Sequence, residues 1–258
     1  MAWRARLEQL RVPTRAVSDV PLAVRWLLAA ALIAQCTWHG LTTDAVLRAD
    51  SARDLPQPPP VALLRTAAFG EPVALARAGN LWLQFFDHQP GVSIPYRELD
   101  YERLRAWLSR WLALDPDSDY PLLLAVRLYA QVADPARQRR MIAFVRAAFR
   151  ERPAQRWRWL AEATLIARHR LGDAELALAC ARTLVEHAPA KALPYWAREL
   201  PAFILEDMGE LEAARRVVAG LLASGEITDP AEIAFLERWL QALAKGRTRG
   251  GERESPPE

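Results

Sequence analysis

The feature that most constrains this fold is the recurrence of apolar residues at helical spacing across residues 61–245, interrupted only by brief breaks. After Asp100, for example, Leu104, Leu108 and Trp111 recur at the spacing of one helical face. No segment of the sequence alternates convincingly between apolar and polar residues with a period of two. About ten helices joined by short turns therefore predict an all-α fold of stacked helical hairpins.

Helix starts can be assigned from capping residues and prolines. Asp100 is expected to cap one helix, and Asp229 followed by Pro230 is a typical start for another. Further starts are expected near residues 121, 135, 154, 173, 194 and 210. Residues 87–99 form the longest break, and such breaks in compact helical domains are often functional. The polar tail, residues 246–258, is expected to be disordered.

Two of these helices begin with related sequences. "LGDAELALA" starts at residue 171 and "MGELEAARR" at residue 208, which is a separation of 37 residues. Each places an alanine five residues after its glycine, as Gly172 with Ala177 and Gly209 with Ala214. Pro189 follows Ala177 after twelve residues. The small alanines are expected where two helices approach closely.

Over residues 158–226 this pattern resembles the tetratricopeptide repeat, in which the second helix carries the glycine-to-alanine spacing and a proline closes the repeat. The aromatic and leucine positions of the family's first helix are not matched. Pro201 falls inside a first helix, where it should kink or restart it, and Glu226 stands where a closing proline is expected. The resemblance implies an α-solenoid that binds other proteins through its concave face.

Ahead of this domain lies an apolar segment, "VRWLLAAALIAQCTWHG", at residues 24–40. A helix over the 19 residues from Val20 to Trp38 measures about 28 Å, close to the thickness of the hydrocarbon core. Trp26 and Trp38 suit the two membrane interfaces, and the stem of Arg25 can carry its charge to the headgroups. We predict an uncleaved transmembrane anchor at residues 19–38; a cleaved signal peptide and a soluble helix are the alternatives.

The flanking charges predict how the anchor is oriented. Four arginines precede it, whereas the arginines after it are mixed with aspartates. The positive-inside rule then places residues 1–18 in the cytoplasm, as an arm along the membrane, and the C-terminal domain in the periplasm of a bacterium. Residues 41–60 end in "DLPQPPP", which predicts a stiff proline-rich linker that holds the domain at residues 61–245 off the membrane.

Composition excludes several classes of function. The net charge of +3 is too small to imply a nucleic-acid partner, and 32 of the 34 basic residues are arginine. Cys36 and Cys180 form no metal-binding or redox spacing, and the four histidines are scattered. No catalytic or nucleotide-binding motif is present. The sequence therefore predicts no enzyme activity, no cofactor and no metal site.

The clearest charge feature is residues 137–158, with eight arginines and one acid. Arg139, Arg146 and Arg150 lie on one side of a predicted helix, so they are candidate residues for binding an acidic protein, lipid headgroups or an anionic polymer. The alternative is an ordinary solvated face. Residues 199–237 balance this stretch with nine acids against two arginines, which is a dipolar pattern suited to docking or self-association.

Together these features predict a membrane-anchored, tetratricopeptide-like scaffold or assembly protein that mediates protein–protein interaction in the bacterial cell envelope. One alternative is an envelope enzyme or a glycan-binding protein that uses the loop at residues 87–99. Another is a soluble helical-repeat protein that binds RNA through the arginines of residues 137–158, for which a salt-sensitive affinity would be expected.

Overall fold

The computed structural model describes residues 20–47, 55–86, 88–89, 92–93 and 95–246, with side chains placed for residues 20–38, 55–86 and 95–246. The described chain is all-α apart from two paired strands of two residues each, β1 (His88–Gln89) and β2 (Val92–Ser93). Its α-helices are α1 (Leu22–Leu47), α2 (Val61–Ala67), α3 (Pro72–Gln84), α4 (Tyr101–Leu114), α5 (Tyr120–Arg127), α6 (Pro135–Glu151), α7 (Pro153–His169), α8 (Ala174–His187), α9 (Tyr195–Asp207), α10 (Leu211–Ala223) and α11 (Pro230–Ala244).

The chain divides into two compact units, and α1 belongs to the first. Over residues 22–38 its large apolar side chains are exposed, with exposed fractions from 44% at Val24 to 69% at Trp26 and Leu27. Arg25 donates from Nε to the carbonyl oxygen of Val20 at 2.9 Å. Among the described residues, no helix combines the length and the apolar character that a membrane crossing requires. The expected arm at residues 1–18 lies outside the described residues.

The second unit contains α2 to α11. From α3 onward each helix packs against the next one in sequence, and α4 also contacts α6 while α5 contacts α7. The core consists mainly of leucine and alanine together with a few large rings, such as Tyr101, Tyr129 and Phe149. At the C-terminal end, Trp239 of α11 stacks on Phe203 of α9 with centroids 4.6 Å apart. This sequential packing confirms the predicted all-helical, repeat-like domain.

Acidic residues precede α4, α6, α8 and α10 at regular intervals. The carboxylates of Asp100, Asp134 and Asp173 each accept hydrogen bonds from backbone N–H groups in the first turn of α4, α6 and α8. Glu210 occupies the corresponding position before α10 without such a bond. The successive separations are 34, 39 and 37 residues. Helical pairs of similar length therefore recur four times, two more than the glycine-to-alanine pattern identifies.

The glycines of the two related sequences occupy the turns between paired helices. Gly172 and Gly209 have φ values of 64° and 78°, a left-handed conformation that ends α7 and α9 at little steric cost. Ala177 and Ala214 are completely buried, as expected for positions of close helix approach. Helix α9 continues through Pro201, so of the two predicted effects of this proline, a kink or a restart, the restart does not occur.

The proline-rich segment differs from its prediction. Helix α1 extends to Leu47, and residues 55–60 lie along α4 instead of forming a spacer. Arg103, Trp107 and Arg110 donate side-chain hydrogen bonds to carbonyl groups of this segment, those of Leu55, Pro56 and Pro59, at 2.7, 2.8 and 3.1 Å. These donors share one face of α4, and proline retains its carbonyl acceptor although it has no N–H. The helical domain thus begins at Leu55, which is completely buried, and not at Val61.

Candidate protein-interaction surfaces

The arginine-rich stretch at residues 137–158 is largely used by the fold itself. Five of its eight arginines form ion pairs with carboxylates of the domain: Arg137, Arg139, Arg140, Arg152 and Arg156. Three of the acids, Glu102, Asp117 and Asp173, belong to other helices or to the turns beside them. Three of the eight arginines therefore join neighbouring helices through ion pairs, a role that neither a partner-binding surface nor a simple solvated face predicts.

Arg139 shows how these contacts work. Its Nη2 and Nε lie 3.0 and 3.2 Å from Oδ2 of Asp173, while Oδ1 of Asp173 accepts from the backbone N–H of Leu176. The backbone N–H of Leu176 and the guanidinium of Arg139 both lower the pKa of Asp173. One carboxylate therefore caps α8 and joins it to α6.

The other two predicted binding residues lie in different environments. Arg146 is half-buried beside Cys180, whose thiol pKa is raised by burial although the arginine partly offsets that effect. Arg150 is exposed and forms no ion pair within the described part of the chain. Arg139, Arg146 and Arg150 thus share one helix but do not form a single exposed basic cluster.

A different surface lies on α5, α7 and α9, and we call it the odd-helix face. It presents apolar side chains to solvent, including Leu123 and Leu165, each 36% exposed, and Trp196, which is 45% exposed. Trp157 of α7 lies beside Trp196 of α9, with ring centroids 6.1 Å apart. The guanidinium of Arg158 lies 5.6 Å from the centroid of the Trp157 ring. The face thus combines apolar anchors with an exposed cation.

Ion pairs fix the spacing of the three helices along this face. Arg127 of α5 binds Glu162 of α7 at 2.5 Å, and Arg168 of α7 binds Asp207 of α9 at 2.5 Å. Both pairs are partly exposed, so solvent screens them and each contributes little to stability. The two pairs link α5 to α7 and α7 to α9 along this face.

A second exposed apolar surface lies on α3. Ala76, Gly79, Asn80 and Leu83 are the buried residues of this helix, and it packs against α4. A Cβ atom on Gly79 would come within 2.4 Å of the Trp111 ring, so glycine permits this close packing. On the opposite side, an apolar stripe that includes Leu81 is exposed.

The turn before α3 is also unusual. Phe69 has a φ value of 48° and is 95% exposed. A left-handed backbone costs free energy for a phenylalanine. Because the ring is almost fully exposed, its packing within the domain does not offset that cost. This combination of strain and exposure makes the α2–α3 turn a candidate contact position.

The loop at residues 87–99 is only partly described. It contains β1, β2 and a 3₁₀ turn at Tyr96–Glu98, while residues 87, 90, 91 and 94 lie outside the described residues. The Tyr96 ring contacts Tyr129 edge-on at 5.7 Å, and Leu99 is buried. The C-terminal part of the loop is therefore packed against the core.

Residues typical of catalytic or metal sites are not clustered in the described structure. No group of three or more histidine, cysteine or acidic side chains among the described residues is arranged to hold a metal ion. A small open cavity of about 130 Å³ lies between α4 and α6, lined by residues such as Arg105, Phe144 and Glu151. It is too small for most organic ligands, whose pockets usually measure about 300–1,000 Å³.

Comparisons of the chain with protein-family models, with curated proteins and with solved structures found no significant match.

Proposed function

We propose that this protein is a tetratricopeptide-like scaffold that binds partner proteins through the odd-helix face. The observation that carries the proposal is the row of exposed apolar side chains on three successive odd-numbered helices, linked by interhelical ion pairs. In this arrangement the helical pairs form an α-solenoid, and the odd-numbered helices line its binding surface.

The chemistry of the face favours a peptide or a helix as the ligand. Exposed tryptophan and leucine side chains gain free energy when a partner covers them, and tryptophan is frequently a dominant anchor in interfaces. The surrounding ion pairs supply a polar rim that can donate and accept hydrogen bonds. A partner would therefore place an apolar side chain beside Trp196 and polar groups near Arg168 and Asp207.

We further propose that residues 19–38 attach the protein to the inner membrane. The support is the apolar helix α1, whose exposed leucine and tryptophan side chains would be covered by lipid. The excess of arginine before this segment favours a cytoplasmic N-terminus and a periplasmic helical domain. The protein would then assemble a complex of the bacterial cell envelope.

Partner binding can be tested with variants of the odd-helix face in the native host. The full-length chain carrying Trp196→Ala, or Leu165→Glu, is crosslinked in cells, and captured proteins are identified by mass spectrometry. Arg182→Glu, at an exposed position of α8, is the matched control. We expect partners of the wild type to be retained by the control and lost by both test variants. Capture of the same partners by all four chains would contradict the proposal.

The membrane topology can be tested separately with reporter fusions after Lys245. A phosphatase that folds only in the periplasm should be active, whereas a cytoplasmic β-galactosidase reporter at the same position should be inactive. The reverse pattern would place the helical domain in the cytoplasm. Extraction of the chain by carbonate would contradict attachment through residues 19–38.

A further inference from the structure

We propose that the protein forms a homodimer in which α3 of one copy packs antiparallel against α3 of the other. The exposed stripe of α3 consists of Ala74, Ala78, Leu81 and Phe85, the last residue directly following the helix. Their separations of four, three and four residues are those of a coiled-coil seam. Leu81 is 50% exposed and Phe85 is 69% exposed, so the seam faces solvent in a single copy.

The sizes of these side chains favour another copy of the same helix as the partner. In an antiparallel pair centred between Ala78 and Leu81, Ala78 faces the partner's Leu81 and Ala74 faces the partner's Phe85. Each large side chain then opposes a small one, which lets the two helices interlock closely. A parallel pair would oppose two alanines at one end and two phenylalanines at the other, and its helices would diverge.

Charge is compatible with the same arrangement. Arg77 is the only charged residue within α3, and it lies beside the seam rather than in it. Antiparallel pairing places Arg77 next to the neutral Gln84 of the partner subunit. The pairing therefore buries no charge and opposes no like charges, and its two-fold symmetry is the commonest among soluble oligomers.

The exposed apolar area provides a substantial part of what a stable contact buries. Phe69 at the α2–α3 turn adjoins the N-terminal end of α3, which in this arrangement lies beside the partner's Phe85. With aromatic side chains counted at about 150–250 Å² each, the exposed parts of Phe69, Leu81, Trp82 and Phe85 amount to several hundred Å² per copy. Standard interfaces bury about 800 Å² per partner. Burial in the dimer also explains why a strained, exposed Phe69 occurs at this turn.

This inference goes beyond the proposed function because α3 lies outside the odd-helix face formed by α5, α7 and α9. Loss of dimerisation and loss of partner capture can therefore be observed independently. The probe is a second copy of the chain itself, so the test requires no unidentified ligand.

The first experiment measures the mass of the full-length chain in mild detergent by analytical ultracentrifugation. We expect a dimer for the wild type and for the control Ala143→Glu, which alters an exposed alanine of α6. Leu81→Glu should raise the dimer dissociation constant by at least about 100-fold, because it would bury an unpaired carboxylate. Its circular dichroism should match the wild type because Leu81 is half exposed.

The second experiment tests the direction of the pairing by disulfide formation in a Cys36→Ser background. Copies carrying Ala74→Cys are mixed with copies carrying Phe85→Cys and then oxidised. Antiparallel pairing predicts the mixed disulfide and no disulfide between identical copies, since residues 74 and 85 of one helix lie about 16 Å apart. Disulfides between identical copies would instead indicate parallel pairing and overturn the proposal.

Three further results would also overturn it. One is a monomeric wild type at micromolar concentration, and another is a dimer that Leu81→Glu leaves intact. The third is a monomer whose binding to vesicles of phosphatidylethanolamine and phosphatidylglycerol falls in Leu81→Glu, which would assign the α3 surface to lipid.

Discussion

The contact between Arg139 and Asp173 gives a quantitative test of how the arginine-rich helix is used. We consider a double-mutant cycle of Arg139→Gln and Asp173→Asn, in which asparagine keeps an oxygen that can cap α8. The side chain of Arg139 is 53% exposed and that of Asp173 is 24% exposed, so solvent screens the pair substantially. With two nitrogens near one carboxylate oxygen, we expect a coupling free energy of about 0.5–1 kcal/mol, the upper part of the range for exposed pairs.

The pH dependence of this coupling follows from the lowered pKa of Asp173. The folded-state pKa lies below the ordinary value of 3.8, so the pair stabilises the protein above that value. As the pH falls through the folded-state pKa, the carboxylate becomes protonated and the stabilisation is lost. The coupling should therefore remain constant from pH 7 to about pH 5 and decline only below about pH 4.

The assay is urea unfolding of the four full-length chains in mild detergent, followed by far-ultraviolet circular dichroism. A second cycle, which pairs Arg150→Gln with Asp173→Asn, is the control because Arg150 has no ion pair within the described structure. Its coupling should be close to zero. Equal coupling in the two cycles, or none in either, would refute the assignment of Arg139 to a structural contact.

Two further predictions concern the core. Ala177→Leu should overpack the α7–α8 contact and lower the free energy of unfolding by about 1–3 kcal/mol. The control Ala147→Leu, at an exposed position, should change it by less than about 0.5 kcal/mol. Equal urea midpoints for the two variants would contradict the repeat assignment. The hydroxyl of Tyr101 donates to the carbonyl of Tyr129 at 3.0 Å, and burial raises the Tyr101 pKa to about 12. Because the unfolded group ionises near pH 10, stability should hold below pH 10 and fall between pH 10 and 12 by up to about 2–3 kcal/mol. Tyr101→Phe should lose less stability than the wild type between pH 10 and 12. If the urea midpoints of the two chains fell equally over this range, the assignment of the effect to Tyr101 would be wrong.

Much of the helical pattern can be predicted because its signals are local. The structure places helix caps where the sequence has aspartates at helix starts: Asp100, Asp134 and Asp229. The helix starts expected from prolines agree with the structure to within about a residue. Gly172 and Gly209 likewise mark turns that require a left-handed backbone. The regular separation of the capping acids was also present in the sequence, and it could have revealed the two earlier helical pairs.

Features that depend on distant contacts could not be predicted in this way. The ion pair of Arg139 with Asp173 joins residues 34 positions apart, so helical spacing alone suggested an exposed basic face. The carbonyl groups of Leu55, Pro56 and Pro59 accept hydrogen bonds from side chains about 50 residues away, whereas composition alone suggested a stiff spacer between the membrane and the domain. The odd-helix face was missed because Leu165 and Trp196 resemble ordinary core residues when each helix is considered separately.

Site-specific photo-crosslinking in cells of the native host tests the central claim most directly. A photoreactive amino acid is placed at position 123, 165 or 196 of the odd-helix face, and at exposed positions 143 and 186 of α6 and α8 as controls. The proposed function predicts that the three test positions crosslink to one common partner protein and that the controls do not. Crosslinks to that partner from positions 143 and 186, with none from the odd-helix face, would contradict it.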